Sequence, residues 1–109
     1  MFRIFFPEEH KPINKIEIIN RLIENRDELQ TSGVKSLAIF GSVARGDDTP
    51  GSDVDVLVEL SRPMGLFGLS DLRQRLKEIL EVDHLDLITR DGIHPAIKDI
   101  ILSEAINVI

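Results

Sequence analysis

The sequence predicts an α/β (α+β) domain in which a small mixed β-sheet is flanked by helices. Three short apolar runs have the length of buried strands, and they alternate with segments in which apolar residues recur at helical spacing. Turn-forming residues separate the segments, so the predicted order is helix, strand, turn, strand, helix, strand, helix. Because the chain has 109 residues, we expect residues 1–109 to form a single domain.

The first helix and the first strand occupy the amino-terminal half. The helix is predicted to start at Asn14, where Glu17 three residues later gives a capping-box pattern, and to end at Gly33. Residues 35–40 (KSLAIF) form a short apolar run that predicts a buried strand. This strand stops at Gly41-Ser42, where a short helical turn can begin.

The alternation continues in the second half of the chain. Residues 47–51 (DDTPG) are dense in turn formers and predict a loop. Residues 53–60 (DVDVLVEL) and 84–89 (HLDLIT) predict two further strands. The helix between these strands is predicted from an apolar stripe, Leu66, Leu69, Leu72, Leu76, Ile79 and Leu80. A last amphipathic helix is predicted from Ala96, Ile97, Ile100, Ile101, Ala105 and Val108.

Composition argues against several classes of function. The chain has no cysteine, so it forms neither a disulfide framework nor a Cys-based zinc site. No apolar stretch approaches the roughly 20 residues that span a bilayer, and residues 1–6 are too short for a signal peptide. We therefore expect a cytoplasmic protein with no membrane partner. The net charge of −6 and the lack of Lys or Arg runs also argue against nucleic-acid binding.

Three aspartates interrupt the apolar strands. Asp53 and Asp55 share one face of their strand because side chains alternate in direction, and like charges placed side by side repel. Asp86 lies in the middle of the next predicted strand, between two leucines. When two carboxylates are buried close together, the pKa of one of them rises unless a cation neutralises their charge. Mg²⁺ takes oxygen ligands of this kind. If the two strands are neighbours, the three aspartates are enough to hold two metal ions.

A phosphate-binding turn is predicted just upstream of the aspartates. Gly41 permits close backbone approach, and Ser42 adds a hydroxyl donor where a helical turn begins. Arg45 is the cation nearby and can offset the charge of a triphosphate. Each feature alone has a simpler explanation, since Gly-Ser is a common turn and an Asp pair usually lies in a surface loop. Their combination with carboxylates inside apolar strands favours a site for metal and nucleotide.

These residues also resemble a known family. Gly41-Ser42, ten further residues and then Asp53-Val54-Asp55 form the G-S-x10-D-x-D signature of the DNA polymerase β-like nucleotidyltransferase superfamily. Ala44-Arg45-Gly46 and Leu85-Asp86-Leu87-Ile88 are similar to its minimal nucleotidyltransferase branch. The resemblance covers residues 35–105 and implies a nucleotidyltransferase fold.

The resemblance also implies residue roles. Asp53 and Asp55 are similar to the ligands that bridge two Mg²⁺ ions. Asp86 is similar to a third carboxylate, which binds the catalytic metal and helps to activate the attacking hydroxyl. Gly41-Ser42 corresponds to the turn that binds the nucleoside triphosphate, and Arg45 matches the A-R-G of this branch.

The minimal branch implies a partner. Its members are typically antitoxins of a type VII toxin–antitoxin pair, and they use ATP to adenylylate a tyrosine of a helical HEPN-type ribonuclease toxin. This chain contains no Tyr, so a tyrosyl acceptor would lie on another protein. Two alternatives stay open, namely a small-molecule nucleotidyltransferase of the aminoglycoside type and an antitoxin that acts by binding alone. The sequence does not decide between a monomer and a homo-oligomer.

Overall fold

A computed structural model describes residues 14–46 and 53–109, so the predicted loop at 47–51 lies outside the described residues. The helices are α1 (Lys15–Glu24), α2 (Arg26–Thr31), α3 (Gly41–Arg45), α4 (Leu66–Leu80) and α5 (Pro95–Glu104), and the strands are β1 (Val34–Phe40), β2 (Val54–Leu60), β3 (Leu85–Thr89) and β4 (Ile106–Asn107). A 3₁₀ turn, Arg90–Gly92, connects β3 to the segment before α5. In the described part of the chain, no helix is both long and apolar enough to cross a membrane.

The strands form one mixed sheet in the order β3-β2-β1-β4. Strand β1 is antiparallel to both β2 and β4, whereas β2 and β3 are parallel. A parallel pair needs a long crossover connection, and α4 provides it. The predicted mixed sheet flanked by helices is therefore confirmed. The condition on which the three aspartates would meet, namely that β2 and β3 are neighbours, is met.

Helices cover both faces of this sheet. Val54, Val56 and Val58 of β2 are buried in the larger core cluster, together with apolar residues of α1, α2 and α4. The opposite face of β2 contributes Leu57 to a smaller cluster, which also contains Ile101 of α5. Since side chains alternate along β2, Asp55 lies on the α5 side of the sheet.

The predicted first helix is in fact two helices. Asn14 caps α1 as expected, because its Oδ1 accepts a hydrogen bond of 2.8 Å from the backbone N–H of Glu17. The carboxylate of Glu17 does not complete the capping box but pairs with Arg21 at 2.8 Å. The helix breaks at Asn25, whose side-chain amide donates a 2.8 Å hydrogen bond to the carbonyl of Arg21.

The prediction that the last helix continues to Val108 was wrong. Helix α5 ends at Glu104, and the chain then extends so that Ile106 and Asn107 pair with β1. The backbone N–H of Val108 donates a 2.8 Å hydrogen bond to the carbonyl of Leu37. The terminal apolar residues thus pack on a sheet edge instead of prolonging the helix.

Candidate active site

The site is centred on two carboxyl groups on neighbouring parallel strands. Asp55 of β2 is in register with Asp86 of β3, and Asp86 lies close enough to raise the pKa of Asp55. On its other side Asp55 is in register with Phe40, the last residue of β1. The side chain of Asp55 is half-buried, whereas Asp86 is exposed. Two carboxylates this close repel each other, which favours a proton on one of them or a bound cation.

The surroundings of Asp55 favour its protonated form. Burial raises the pKa of Asp55 to about 6, and the charge and hydrogen bond of Asp86 act in the same direction. The charge of Asp53 also raises this pKa, while that of Arg45 lowers it. A divalent cation between Asp55 and Asp86 would relieve their repulsion, because it stabilises both carboxylates in their ionised form.

Asp53 is exposed and lies immediately before β2. Within residues 14–46 and 53–109, no group of three or more His, Asp or Glu side chains is arranged to hold a metal ion. The role of Asp53 as a metal ligand beside Asp55, with Asp86 as the third carboxylate, therefore stays a prediction. Mg²⁺ commonly takes one or two carboxylates and completes its shell with water and substrate phosphates, so Asp55 and Asp86 are a donor set that fits this ion.

Gly41 lies directly against the Asp55 carboxyl group. Its backbone has a φ of +76°, and a Cβ at this position would collide with Asp55 Oδ2 and lie 3.1 Å from Asp55 Cγ. Glycine is thus required both by the left-handed backbone conformation and by the space that the carboxyl group occupies. The following residue, Ser42, is half-buried in α3, whose amino-terminal end has no side-chain cap. The predicted phosphate turn and the predicted carboxylate site are therefore in contact.

Arg45 ends α3 and connects this helix to α5. Its Nη1 donates a 3.0 Å hydrogen bond to Oε2 of Glu104, and the charge of Arg45 reaches Asp55. The guanidinium group therefore contacts Glu104 and is close enough to Asp55 to lower the pKa of that carboxyl group. Sequence reasoning assigned Glu104 no role in the site, because nothing in the pattern of α5 shows that its end lies beside α3.

Lys15 is a second cation that sequence reasoning missed. Its Nζ donates a 3.3 Å hydrogen bond to the carbonyl of Ala44 in α3, across 29 positions of the chain. A cation at the carboxyl end of a helix interacts favourably with the last carbonyl groups. Lys15 therefore ties the start of α1 to the segment that begins with Gly41.

The fold and the geometry of this site define a nucleotidyltransferase domain. The family described as nucleotidyltransferase domain matches residues 19–108, and the chain belongs to this family. It is 43% identical over 77 residues to MJ0435 of Methanocaldococcus jannaschii, a candidate protein adenylyltransferase, with 71% of this chain and 82% of that protein covered. It is 30% identical over 93 residues to the protein adenylyltransferase MntA of Thermococcus cleftensis, with 84% and 93% covered.

Solved structures share the fold. A candidate minimal nucleotidyltransferase superposes with a TM-score of 0.75 at 28% identity, over 90% of this chain and 97% of that one. A toxin–antitoxin complex with AMP-PNP superposes with a TM-score of 0.68 at 21% identity, over 84% of this chain and 72% of that one. A complex of tri-AMPylated HEPN toxin with MNT antitoxin from Shewanella oneidensis superposes with a TM-score of 0.62 at 18% identity, over 87% of this chain and 71% of that one. The predicted family, fold and enzyme class are confirmed, and the last two similarities bear on the fold alone.

Proposed function

We propose that this chain transfers AMP from ATP to a hydroxyl group of a partner protein, in a reaction that depends on Mg²⁺. The observation that carries this proposal is the Asp55–Asp86 pair beneath Gly41. Two carboxyl groups that compete for a proton are a strong site for a divalent cation, and a glycine turn in contact with them leaves room for phosphates. Cation and triphosphate would therefore be held side by side.

In the proposed reaction the triphosphate lies along the Gly41-Ser42 turn, and Arg45 offsets part of its charge. Asp53, Asp55 and Asp86 are the proposed ligands of two Mg²⁺ ions. When bound, these ions would stabilise charge on the entering and the departing oxygens. The acceptor hydroxyl attacks the α-phosphorus, so a new O–P bond forms while the bond to the bridging oxygen breaks and pyrophosphate leaves. The hydroxyl proton passes to Asp86, whose exposed carboxylate is accessible to an acceptor.

The proposed acceptor is a tyrosine of a helical HEPN-type ribonuclease toxin, which makes this chain the antitoxin of a type VII pair. Relatives that carry the name protein adenylyltransferase support a protein acceptor. The similarity of fold to antitoxins solved with a HEPN toxin supports the class of partner. The chain itself has no Tyr, so modification of a tyrosine on this chain is excluded.

The experiment combines the chain with ATP labelled at the α-phosphate, Mg²⁺ and the protein encoded by the neighbouring gene. We expect label on a tyrosine of that protein, and we expect none with the double variant Asp53→Ala/Asp55→Ala. A neighbouring protein that is inhibited but never labelled would support an antitoxin that acts by binding alone. Label on an aminoglycoside-type small molecule, with none on protein, would support the other alternative.

A further inference from the structure

The first turn of α4 presents two large apolar side chains to solvent. Leu66 is 81% exposed and Phe67 is 87% exposed, although Leu66 belongs to the apolar stripe of α4. Adjacent apolar side chains at this level of exposure indicate an interaction surface more strongly than single ones do. The stripe is buried in the core only from Leu72 onward.

An open groove lies beside this turn. It has a volume of about 660 Å³ and runs between α4 and the edge strand β3, with Leu87 and Ile88 in its lining. Among the described strands β3 pairs only with β2, so the groove lies along a free edge of the sheet. Small-molecule sites commonly enclose 70–90% of their ligand. Side chains that protrude as far as Phe67 suit the surface of another protein better than an enclosed small ligand.

One cation lines this groove among the described residues. Arg73 of α4 makes no ion pair or hydrogen bond with the rest of the chain that the structure describes. By contrast, Arg75 on the same helix pairs with Glu28 at 2.8 Å. Although the chain has a net charge of −6, an arginine left without such a partner in an apolar groove favours a carboxylate on the occupant at this position.

We propose that this groove, formed by Leu66, Phe67, Arg73, Leu87 and Ile88, is the docking site of the acceptor protein. The segment that binds is apolar and carries a carboxylate that pairs with Arg73. This inference rests on the proposed function, since it takes the acceptor to be a protein.

Strand β3 connects the groove to the carboxyl pair. Asp86 and Ile88 are two residues apart on β3, which corresponds to about 7 Å, and both point to the α5 side of the sheet, whereas Leu87 points to the α4 side. A protein held in the groove therefore reaches the carboxylate that receives the hydroxyl proton around the free edge of β3, where Ile88 lines the groove. Docking of this kind would orient the acceptor hydroxyl, because binding energy at the groove fixes its position.

Two variants with matched controls test the groove. Phe67→Asp places a negative charge in the first turn of α4, where the helix dipole favours it, so we expect the fold to persist. Its control is Ile16→Asp, because Ile16 is 70% exposed in the first turn of α1. Arg73→Ala removes the cation of the groove, and Arg75→Ala is its control on the same helix.

The readout is the rate of transfer of α-label from ATP to the protein encoded by the neighbouring gene, over a range of acceptor concentrations. Phe67→Asp and Arg73→Ala are expected to raise the KM for the acceptor about tenfold or more, which corresponds to about 1.4 kcal/mol, with the KM for ATP unchanged. Both controls are expected to match the wild type. An unchanged acceptor KM in Phe67→Asp would overturn the groove as the docking site.

Two further outcomes keep the groove separate from the proposed function. If the wild-type chain transfers no label, the proposed function fails, and calorimetric binding of the same protein then decides on the groove. Loss of that binding in Phe67→Asp supports the groove, and unchanged binding refutes it. If the wild type is dimeric by light scattering and Phe67→Asp is a monomer with an unchanged acceptor KM, the groove is a contact between two copies and the proposal is wrong.

Discussion

Replacing Asp55 with asparagine removes a charge from the site while it keeps the shape of the side chain. The pKa of Asp55 is about 6 in the folded chain, against an ordinary value of 3.8, chiefly because of burial and then because of Asp86. The folded chain therefore binds this proton more tightly than the unfolded chain does. Stability contributed by the protonated carboxyl is lost as the pH rises from about 4 to about 6.

The size of this loss follows from the difference in pKa. A pKa difference of about two corresponds to about 3 kcal/mol of free energy of unfolding. Because water screens a half-buried group, we expect a loss of about 1 to 2 kcal/mol. Asp55→Asn should recover this amount at pH 7.5 in the absence of divalent cations. For a domain of this size, each kcal/mol raises Tm by about 4 to 8 °C. The same variant should have no nucleotidyl transfer activity, because it loses a proposed metal ligand.

Thermal unfolding at pH 7.5 and at pH 3.5, both in EDTA, measures this effect. The gain in Tm should be present at pH 7.5 and should nearly vanish at pH 3.5, where the wild-type carboxyl is mostly protonated in both states. Added Mg²⁺ should raise the Tm of the wild type more than that of Asp55→Asn. Asp53→Asn is the control, since the exposed Asp53 should give a smaller gain. An Asp55→Asn variant that is no more stable than the wild type at pH 7.5 would refute this reasoning.

Two further substitutions test the surroundings of the carboxyl pair. Gly41→Ala should abolish transfer, because the added Cβ displaces Asp55. Its control is Gly46→Ala, since Gly46 has a similar φ of +80° but open space around it. Gly46→Ala should lower the free energy of unfolding in urea by about 1 kcal/mol and keep activity. If both variants lost the same stability and both kept activity, the predicted difference between Gly41 and Gly46 would be contradicted. Glu104→Ala should change stability by less than about 1 kcal/mol, since its pair with Arg45 is partly exposed, but should raise the KM for ATP up to about tenfold. A lower KM would mean that Glu104 repels the triphosphate instead of orienting Arg45.

The strands and most helices were predictable because their apolar spacing is local information. Alternation along residues 53–60 also predicts that Asp53 and Asp55 share one face, although β2 itself begins at Val54. The sequence predicts the contact between Asp55 and Asp86 only if β3 lies parallel beside β2. The packing of α4 against the sheet decides such a crossover, and the spacing of the aspartates carries no information about that packing.

Other features had no local signal. Strand β4 is two residues long and follows an apolar helix, so its residues continued the helical pattern until the structure showed them paired with β1. The contact of Gly41 with Asp55, like the pair of Arg45 with Glu104, joins segments that are distant in the chain. Such contacts depend on tertiary packing, which periodicity does not encode.

The most direct test of the central claim compares ATP labelled at the α-phosphate with ATP labelled at the γ-phosphate. The chain is incubated with each nucleotide, Mg²⁺ and the protein encoded by the neighbouring gene. Nucleotidyl transfer predicts that α-label appears on the acceptor while γ-label appears in pyrophosphate, and that both signals disappear in Asp53→Ala/Asp55→Ala. Transfer of γ-label to the acceptor, or transfer of α-label that persists undiminished in the double variant, would contradict the assignment of this chemistry to the carboxyl pair and the Gly41 turn.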